Sequence, residues 1–208
     1  MNAVESVVLE VPDPEAAEKF YAAAFGIGSG LDVRAASDEP STGFRSFTLS
    51  LIVSQPSTVD SLVRTALEAG ATELKPVTKS FWGYGGTVRA PDGTIWKVAS
   101  SSKKDTGPAT RDIDDIALLL GVADVKETKK FYVEHGLEVG KSFGSKYVEF
   151  ASSGPVKLAL YGHKALAKDA GVDPEGSGSH RIAVRSGLGS FTDPDGFAWE
   201  VVSATAER

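Results

Sequence analysis

The sequence predicts an α+β fold in which one unit, a strand followed by a helix and further strands, occurs twice. The first observation is an apolar strand that ends in an acidic residue and leads into a helical stretch with a Phe-Tyr pair. This pattern spans 6–21 and recurs at 115–132. The second observation is a Pro-Asp-Gly turn before an apolar strand with a tryptophan, at 91–98 and again at 194–201. Patterns repeated at similar distances indicate two copies of one domain.

Each copy opens with a strand whose last residue suits a helix N-cap. Asp13 precedes Pro14, and proline is tolerated at the first helical position because the N–H that it lacks has no partner there. Asp124 precedes Glu127 at the spacing of a capping box. We therefore predict helices that begin directly after Asp13 and Asp124.

The first copy continues with a strand at 31–35 and a second helix between further strands. Ser57 suits an N-cap, Asp60 stands where a capping box closes, and Gly70 ends an apolar stripe of helical spacing. The strands predicted around this helix lie at 44–53, 71–77, 86–89 and 95–99.

In the second copy, three strands are predicted after the first helix, and they complete a βαβββ module. They lie at 137–141, 146–151 and 156–161, before a short helix at 164–170. The few residues between Arg185 and Gly189 cannot hold another helix, because three turns need about 11 residues. The first copy lacks strands after 31–35 and the second lacks its last helix, so we expect the halves to complete each other.

The polar stretch 101–111 is predicted as a linker between a half at 1–100 and a half at 112–208. The 208 residues are 41% hydrophobic and 24% charged, as in ordinary globular chains. A net charge of −6 repels a phosphate backbone, and no basic patch denser than Lys103-Lys104 is present, so no nucleic-acid partner is expected.

The composition also bounds compartment and chemistry. No stretch approaches the roughly 18 consecutive apolar residues of a membrane span, and the first residues run into a strand without a basic leader. We therefore expect a cytoplasmic protein with no membrane partner. The chain has no cysteine, which excludes disulfides, thiolate metal sites and cysteine nucleophiles. The expected partner is a small-molecule ligand, and a homodimer is compatible with the sequence.

The chain resembles the vicinal oxygen chelate superfamily, the group of glyoxalase I, bleomycin-resistance proteins and extradiol dioxygenases. The resemblance covers nearly the whole chain, twice, apart from the linker and the two gaps. Its most specific element is Phe-x-Asp-Pro-Asp-Gly-x-x-Trp-Glu, which residues 191–200 match fully. The resemblance implies tandem glyoxalase-like βαβββ modules whose mixed sheets curve into cups, with a ligand or a metal on the concave face.

The same resemblance implies metal-ligand positions at two first strands and one last strand. In the first copy these positions fall on Ser6, on a residue in 48–50, and on Lys97. A lysine ammonium repels a cation and a single hydroxyl binds it weakly, so the first copy is predicted to hold no metal.

In the second copy the implied ligands are Asp115, His180 and Glu200, with Asp115 where the family usually has histidine. This mixed set suits Fe, Mn, Ni or Zn, and Glu200 is then also the candidate catalytic residue. The expected cofactor is therefore a divalent metal ion, with no cofactor as the alternative. His135 is interpreted as structural, at a helix C-terminus. His163 follows Gly162 in a predicted loop, with no partner for metal binding in the sequence.

A ligand pocket is predicted around Phe81, Trp82, Tyr84 and Lys97. Aromatic residues bordered by glycines at the mouth of a cup are surfaces on which an apolar ligand can stack. Core and turn chemistry is the alternative interpretation of the aromatic residues.

Three functions stay open from the sequence. The first is a metal-dependent lyase or oxygenase that acts on a small molecule through the C-terminal half. The second is a metal-free binding protein of the bleomycin-resistance type, and the third is a structural remnant without a site. The fold alone does not choose among them, because one fold hosts many chemistries.

Overall fold

The computed structural model describes residues 3–202, which form four helices and fifteen strands. The N-terminal half contains β1 (Val4–Val11), α1 (Pro14–Ala24), β2 (Leu31–Ala35), β3 (Ser41–Gly43), β4 (Phe47–Ile52), α2 (Pro56–Glu68), β5 (Thr72–Ser80), β6 (Gly83–Arg89) and β7 (Ile95–Ser100). The C-terminal half contains β8 (Asp115–Val122), α3 (Val125–Glu134), β9 (Val139–Phe143), β10 (Tyr147–Phe150), β11 (Val156–Gly162), α4 (His163–Ala170), β12 (Gly176–Gly178), β13 (Ile182–Ser186), β14 (Phe191–Thr192) and β15 (Ala198–Val201). The predicted α+β class is confirmed.

Thirteen strands form one mixed sheet, which we divide at its weakest connection into two parts, called the large layer and the small layer. The large layer has eight strands in the order β5-β6-β7-β4-β8-β11-β10-β9, and the small layer has five in the order β14-β15-β13-β1-β2. A single bridge between Val4 and Val156 connects them. The strands β3 and β12 pair separately.

Both layers are assembled from the two halves of the sequence. In the large layer β4 pairs antiparallel with β8, so the full βαβββ modules 47–100 and 115–162 join edge to edge. In the small layer β1 pairs antiparallel with β13, so the two incomplete modules join each other. Along the chain β2 is followed by the short strand β3, which pairs with β12 outside the small layer, and no helix lies between β13 and β15.

One hydrophobic core lies on the helix-covered face of both layers. Alternate residues of the central strands point into it, among them Leu9, Leu49, Leu118 and Val184, each 0% exposed. The apolar faces of α1, α2 and α3 pack on the same cluster. The opposite face of each layer, the open face, carries the alternate residues of the same strands.

The helix starts agree with two of the three predicted caps. The carboxylate of Asp13 accepts from the Ala16 amide, and that of Asp124 accepts from the amides of Lys126 and Glu127. The prediction for Ser57 was wrong. The helix begins at Pro56, and the Ser57 amide instead donates to the Asp105 carboxylate at 2.7 Å, so the segment between the halves supplies this cap.

Candidate functional site

The open face of the large layer carries a row of six residues that includes three lysines, here called the lysine row. The paired residues Lys75, Thr87, Lys97, Ser50, Ala117 and Lys157 lie side by side on six adjacent strands. Residues paired across strands point to the same face, so the row crosses the sheet from β5 to β11. These strands therefore carry mainly polar side chains on the open face and core side chains on the helix-covered face.

Helix α4 covers one end of this open face. Leu166, Ala167 and Ala170 are buried against a small cluster that includes Ile95 and Leu119. These two residues alternate with core residues along β7 and β8, so α4 lies on the side of the sheet opposite α2. The rest of the open face beside α4 remains accessible.

A cleft of about 330 Å³ lies beside α4, between β5, β6 and β7. The backbone of Gly83, Gly85 and Gly86 lines it, with Lys75, Lys97 and Asp169 at one side and Trp82 at the mouth. Gly83 has a φ of +141°, and a Cβ there would lie 2.1 Å from the Ser100 carbonyl oxygen, so only glycine fits. The neighbouring strands also approach the other two glycines closely, because a Cβ at Gly85 would lie 2.8 Å from the Val98 carbonyl oxygen and one at Gly86 would lie 2.7 Å from Val77 Cγ2. We call these three glycines the glycine floor.

The predicted pocket residues divide into three groups. Lys97 and Trp82 line the cleft, and the Trp82 side chain is 85% exposed. Phe81 is also exposed, contacts Trp82 edge to face with ring centroids 5.0 Å apart, and is not among the lining residues. Tyr84 contributes backbone only, because its hydroxyl donates to Asp60 on α2 at 2.8 Å and its ring therefore faces the helix side.

Asp169 and Lys75 are cleft residues that sequence reasoning did not identify. Lys97 Nζ donates to both carboxylate oxygens of Asp169, at 2.9 and 3.1 Å. Lys75 Nζ donates to the carbonyl oxygens of Lys168 and Asp169, at 2.8 and 2.6 Å. An acidic residue at the C-terminal end of a helix was the available signal, because that end carries partial negative charge.

The open face of the small layer carries a charge network around Glu200. Arg34 contacts Glu10 and Glu200, each at 2.7 Å, while Arg185 contacts Asp32 at 2.9 Å and Glu200 at 3.6 Å. Burial by itself lowers the pKa of Arg34, but its bonds to Glu10 and Glu200 outweigh this and raise it. Glu200 thus faces the open side, held between two guanidinium groups.

His180 is bound on both sides by backbone carbonyls. Its Nδ1 lies 2.9 Å from the Arg45 oxygen and its Nε2 lies 2.9 Å from the Asp195 oxygen. The ring stacks on Phe197 with centroids 4.1 Å apart. Since a carbonyl oxygen can only accept, neither nitrogen presents a lone pair to a metal in this arrangement.

Asp115 lies apart from the other two predicted metal ligands. It begins β8 in the large layer and forms an ion pair with Lys157 at 2.6 Å, whereas Glu200 lies in the small layer and His180 lies just before β13. The structure therefore does not bring the predicted set together. Within residues 3–202, no group of three or more His, Asp or Glu side chains is arranged to hold a metal ion.

The ligand positions implied for the first copy, which is predicted to hold no metal, also lie in different layers. Ser6 donates to Asp32 in the small layer, while Thr48, Ser50 and Lys97 belong to the large layer. The hydroxyls of Thr48 and Ser50 beside the ammonium of Lys97 do not form a cation site. The residues present at the implied ligand positions do not fit a metal ion.

The other two histidines have structural contacts. His135 follows α3, where its Nδ1 contacts the Phe131 carbonyl oxygen at 2.8 Å, as expected for a helix C-terminus. His163 is the first residue of α4 and not part of a loop, which corrects the prediction. Its Nδ1 contacts the Ser46 hydroxyl at 2.9 Å and its Nε2 contacts the Pro174 carbonyl oxygen at 2.7 Å.

The fold and the open-face cleft define a class, tandem βαβββ proteins with a small-molecule-sized cleft on a curved mixed sheet. Comparison with protein-family models gives no match, and comparison with curated protein sequences gives none. Solved structures are similar. Glyoxalase I from Zea mays superposes with a TM-score of 0.65 at 14% identity, over 98% of this chain and 92% of that one.

Two further structures are similar. A putative dioxygenase from Bacillus subtilis has a TM-score of 0.60 at 12% identity, over 96% of this chain and 84% of that one. A glyoxalase/bleomycin resistance protein/dioxygenase family enzyme from Burkholderia phytofirmans has a TM-score of 0.42 at 19% identity, over 48% of this chain and 98% of that one.

The chain has the vicinal oxygen chelate fold, built from paired modules along its whole described length. This confirms the resemblance seen in the sequence at the level of the fold. None of the helices between residues 3 and 202 is long and apolar enough to cross a membrane.

Proposed function

We propose that this chain binds a small organic molecule in the cleft between β5, β6 and β7, without a metal ion. The observation that carries the proposal is the combination in one cleft of the glycine floor, the 85% exposed Trp82 and the Lys97 ammonium. Of the functions open from the sequence, this is the metal-free binding type, the type named for the bleomycin-resistance proteins.

The cleft has the features of a ligand site for a flat molecule. Its volume of about 330 Å³ is at the lower end of the roughly 300–1,000 Å³ of small-molecule sites. The glycines that line the cleft carry no side chain into it. Trp82 offers an apolar face on which a flat ring can stack, and its burial removes apolar area from water. A few polar groups beside an apolar surface fix a ligand's orientation.

The metal-dependent lyase or oxygenase receives less support from the same residues. Glu200 is held by Arg34 and Arg185, the nitrogens of His180 face carbonyl oxygens, and Asp115 is paired with Lys157. Each potential ligand would have to leave a partner, and the guanidinium groups beside Glu200 repel a cation.

Ligand-observed NMR with small aromatic acids, amides and amines tests the proposal. Trp82 is the exposed tryptophan, because Trp96 and Trp199 are 0% and 2% exposed. We expect compounds that bind the wild-type chain and lose binding in Trp82→Ala. Phe143→Ala is the matched control, since Phe143 is an exposed aromatic on a different hairpin.

Two results would count against the proposal. One is a panel in which no compound depends on Trp82. The other is calorimetric titration with Zn(II), Ni(II), Mn(II) and Fe(II) that shows one tightly bound ion, with ligand binding lost when that ion is removed. The second result would favour the metalloenzyme.

A further inference from the structure

Asp169 places a carboxylate inside the cleft at the end of a helix where negative charge is unfavourable. It is the last but one residue of α4, whose final carbonyls carry partial negative charge. The bidentate contact with Lys97 Nζ offsets that repulsion. Helix stability alone therefore does not explain an aspartate at this position.

The groups around Asp169 form an arrangement that suits an anion. Lys97 is directed at a carboxylate, and Lys75 is directed at two carbonyl oxygens of the same helix end. Two ammonium groups thus converge on one negatively charged region. In this structure the anion between the two ammonium groups is the protein's own Asp169 carboxylate.

The charge of the cleft is opposite to that of the whole chain. Its lining contains two lysines, Lys75 and Lys97, and one acidic residue, Asp169. The chain as a whole carries a net charge of −6. A locally cationic cleft on an acidic protein concentrates small anions relative to the rest of the surface.

We propose that the ligand of this cleft is a flat organic anion, and that its acidic group takes the place of Asp169 at Lys97. This inference rests on the proposed function and adds the chemical class of the ligand. The aromatic ring of the ligand lies between the glycine floor and Trp82, and its acidic group reaches Lys97. In the unliganded chain Asp169 occupies the anion position and neutralises Lys97.

Release of Asp169 does not require α4 to leave the sheet. Leu166 and Ala167 are 0% exposed in the cluster that holds the helix, and His163 anchors its first turn through Ser46 and Pro174. The Lys97–Asp169 pair is partly exposed, with side-chain exposures of 37% and 43%. A partly exposed ion pair contributes little to stability, so an incoming anion can replace it.

The test uses 2-naphthoate and 2-naphthamide, which share a ring system and differ in charge. We expect the full chain to bind naphthoate about tenfold more tightly than naphthamide at low salt, with the difference lost in Lys97→Met. Asp169→Asn removes the competing carboxylate and should tighten naphthoate about three- to tenfold. Raising NaCl should weaken naphthoate alone.

Asp115→Asn is the matched control. Asp115 pairs with Lys157 on the same open face but lies outside the cleft, so naphthoate binding should not change. Thermal unfolding of each variant separates lost binding from lost fold. If Asp169→Asn keeps its fold and naphthoate binds no more tightly, the anion-exchange inference is overturned.

Different results would contradict the anionic ligand class and the proposed small-molecule binding. If naphthoate and naphthamide bind equally and both depend on Trp82, the anionic class is wrong and small-molecule binding stands. If neither probe nor any compound of the aromatic panel depends on Trp82, the proposed function fails as well.

Discussion

The Tyr132 hydroxyl donates a hydrogen bond to the carboxylate of Asp193, and both groups are buried. Trp199 Nε1 donates to the same hydroxyl at 3.2 Å. In the first repeat the Tyr21 hydroxyl donates to Asp92 at 2.6 Å. The two motifs of each repeat, the Phe-Tyr helix and the Pro-Asp-Gly turn, are therefore fastened to each other across the core.

Tyr132→Phe should lower the free energy of unfolding by about 1–3 kcal/mol, because it removes a donor from a buried carboxylate. Tyr21→Phe is the matched comparison and should cost less, since Asp92 is only half-buried and solvent can replace the lost donor. Urea unfolding measures both. A Tyr132→Phe variant as stable as the wild type would contradict the assigned role.

Asp193 should make stability depend on pH. Burial raises the pKa of this carboxyl, although the bonds from Tyr132 and Phe197 lower it. A folded-state pKa above the unfolded value of about 4 favours the protonated form in the fold, so this contribution is present at low pH and is lost as pH rises through the folded pKa. Asp193→Asn should remove the dependence, measured by urea unfolding from pH 4 to 8. A constant difference between variant and wild type across this range would rule out the effect.

Gln55→Ala should release the segment between the halves from α2. Gln55 is 3% exposed, accepts from the amides of Thr106 and Gly107 at 2.8 and 3.1 Å, and donates to the Pro108 oxygen at 2.7 Å. We expect a loss of about 1–3 kcal/mol and faster tryptic cleavage in 101–111. Ser101→Ala, at an exposed position, should leave both quantities unchanged; equal cleavage rates for wild type and Gln55→Ala would argue against docking.

Residues 1–102 alone should not unfold cooperatively. In this fragment β1 lacks its partner β13 and β4 lacks its partner β8. Two strands that are central in the full sheet therefore have exposed, unpaired edges. The fragment 44–172 is the control, because it keeps all eight strands of the large layer. Urea unfolding followed by circular dichroism should show the sharper transition for 44–172. A cooperative transition in 1–102 would contradict the interdependence of the halves.

His180→Ala should destabilise the chain and leave its metal content unchanged. The substitution removes the ring whose two nitrogens contact the carbonyl oxygens of Arg45 and Asp195, and it removes the stacking on Phe197. We expect a loss of about 1–3 kcal/mol in urea unfolding. Full stability together with loss of a bound metal would favour the metal site predicted from sequence.

The helices and many strands could be predicted because their signals are local. Asp13 and Asp124 cap helices through amides two or three residues away, and strand alternation is read along a single segment. The start of α2 was misjudged because its cap, Asp105, comes from a distant segment. Pro56 at the first helical position was the local signal for this start, whereas the cap from Asp105 leaves no pattern near Ser57.

The candidate site was predicted only in part. Lys97 and Trp82 were identified from their motifs, whereas Asp169 enters the cleft because α4 folds back over the sheet. Asp115, His180 and Glu200 matched family positions along the chain, but they lie in separate environments. Position along a repeat predicts the strand on which a residue lies, and it does not predict which repeats become neighbours.

The sequence by itself determined the repeated βαβββ pattern, the two gaps and the vicinal oxygen chelate fold, because hydrophobic period, caps and turns act over a few residues. Only the tertiary structure decided that the outer modules pair through β1 and β13 and the inner ones through β4 and β8. Strand partners are selected by burial of a shared core over long sequence separations. That selection placed the lysine row on one open face and the arginine–carboxylate network on the other.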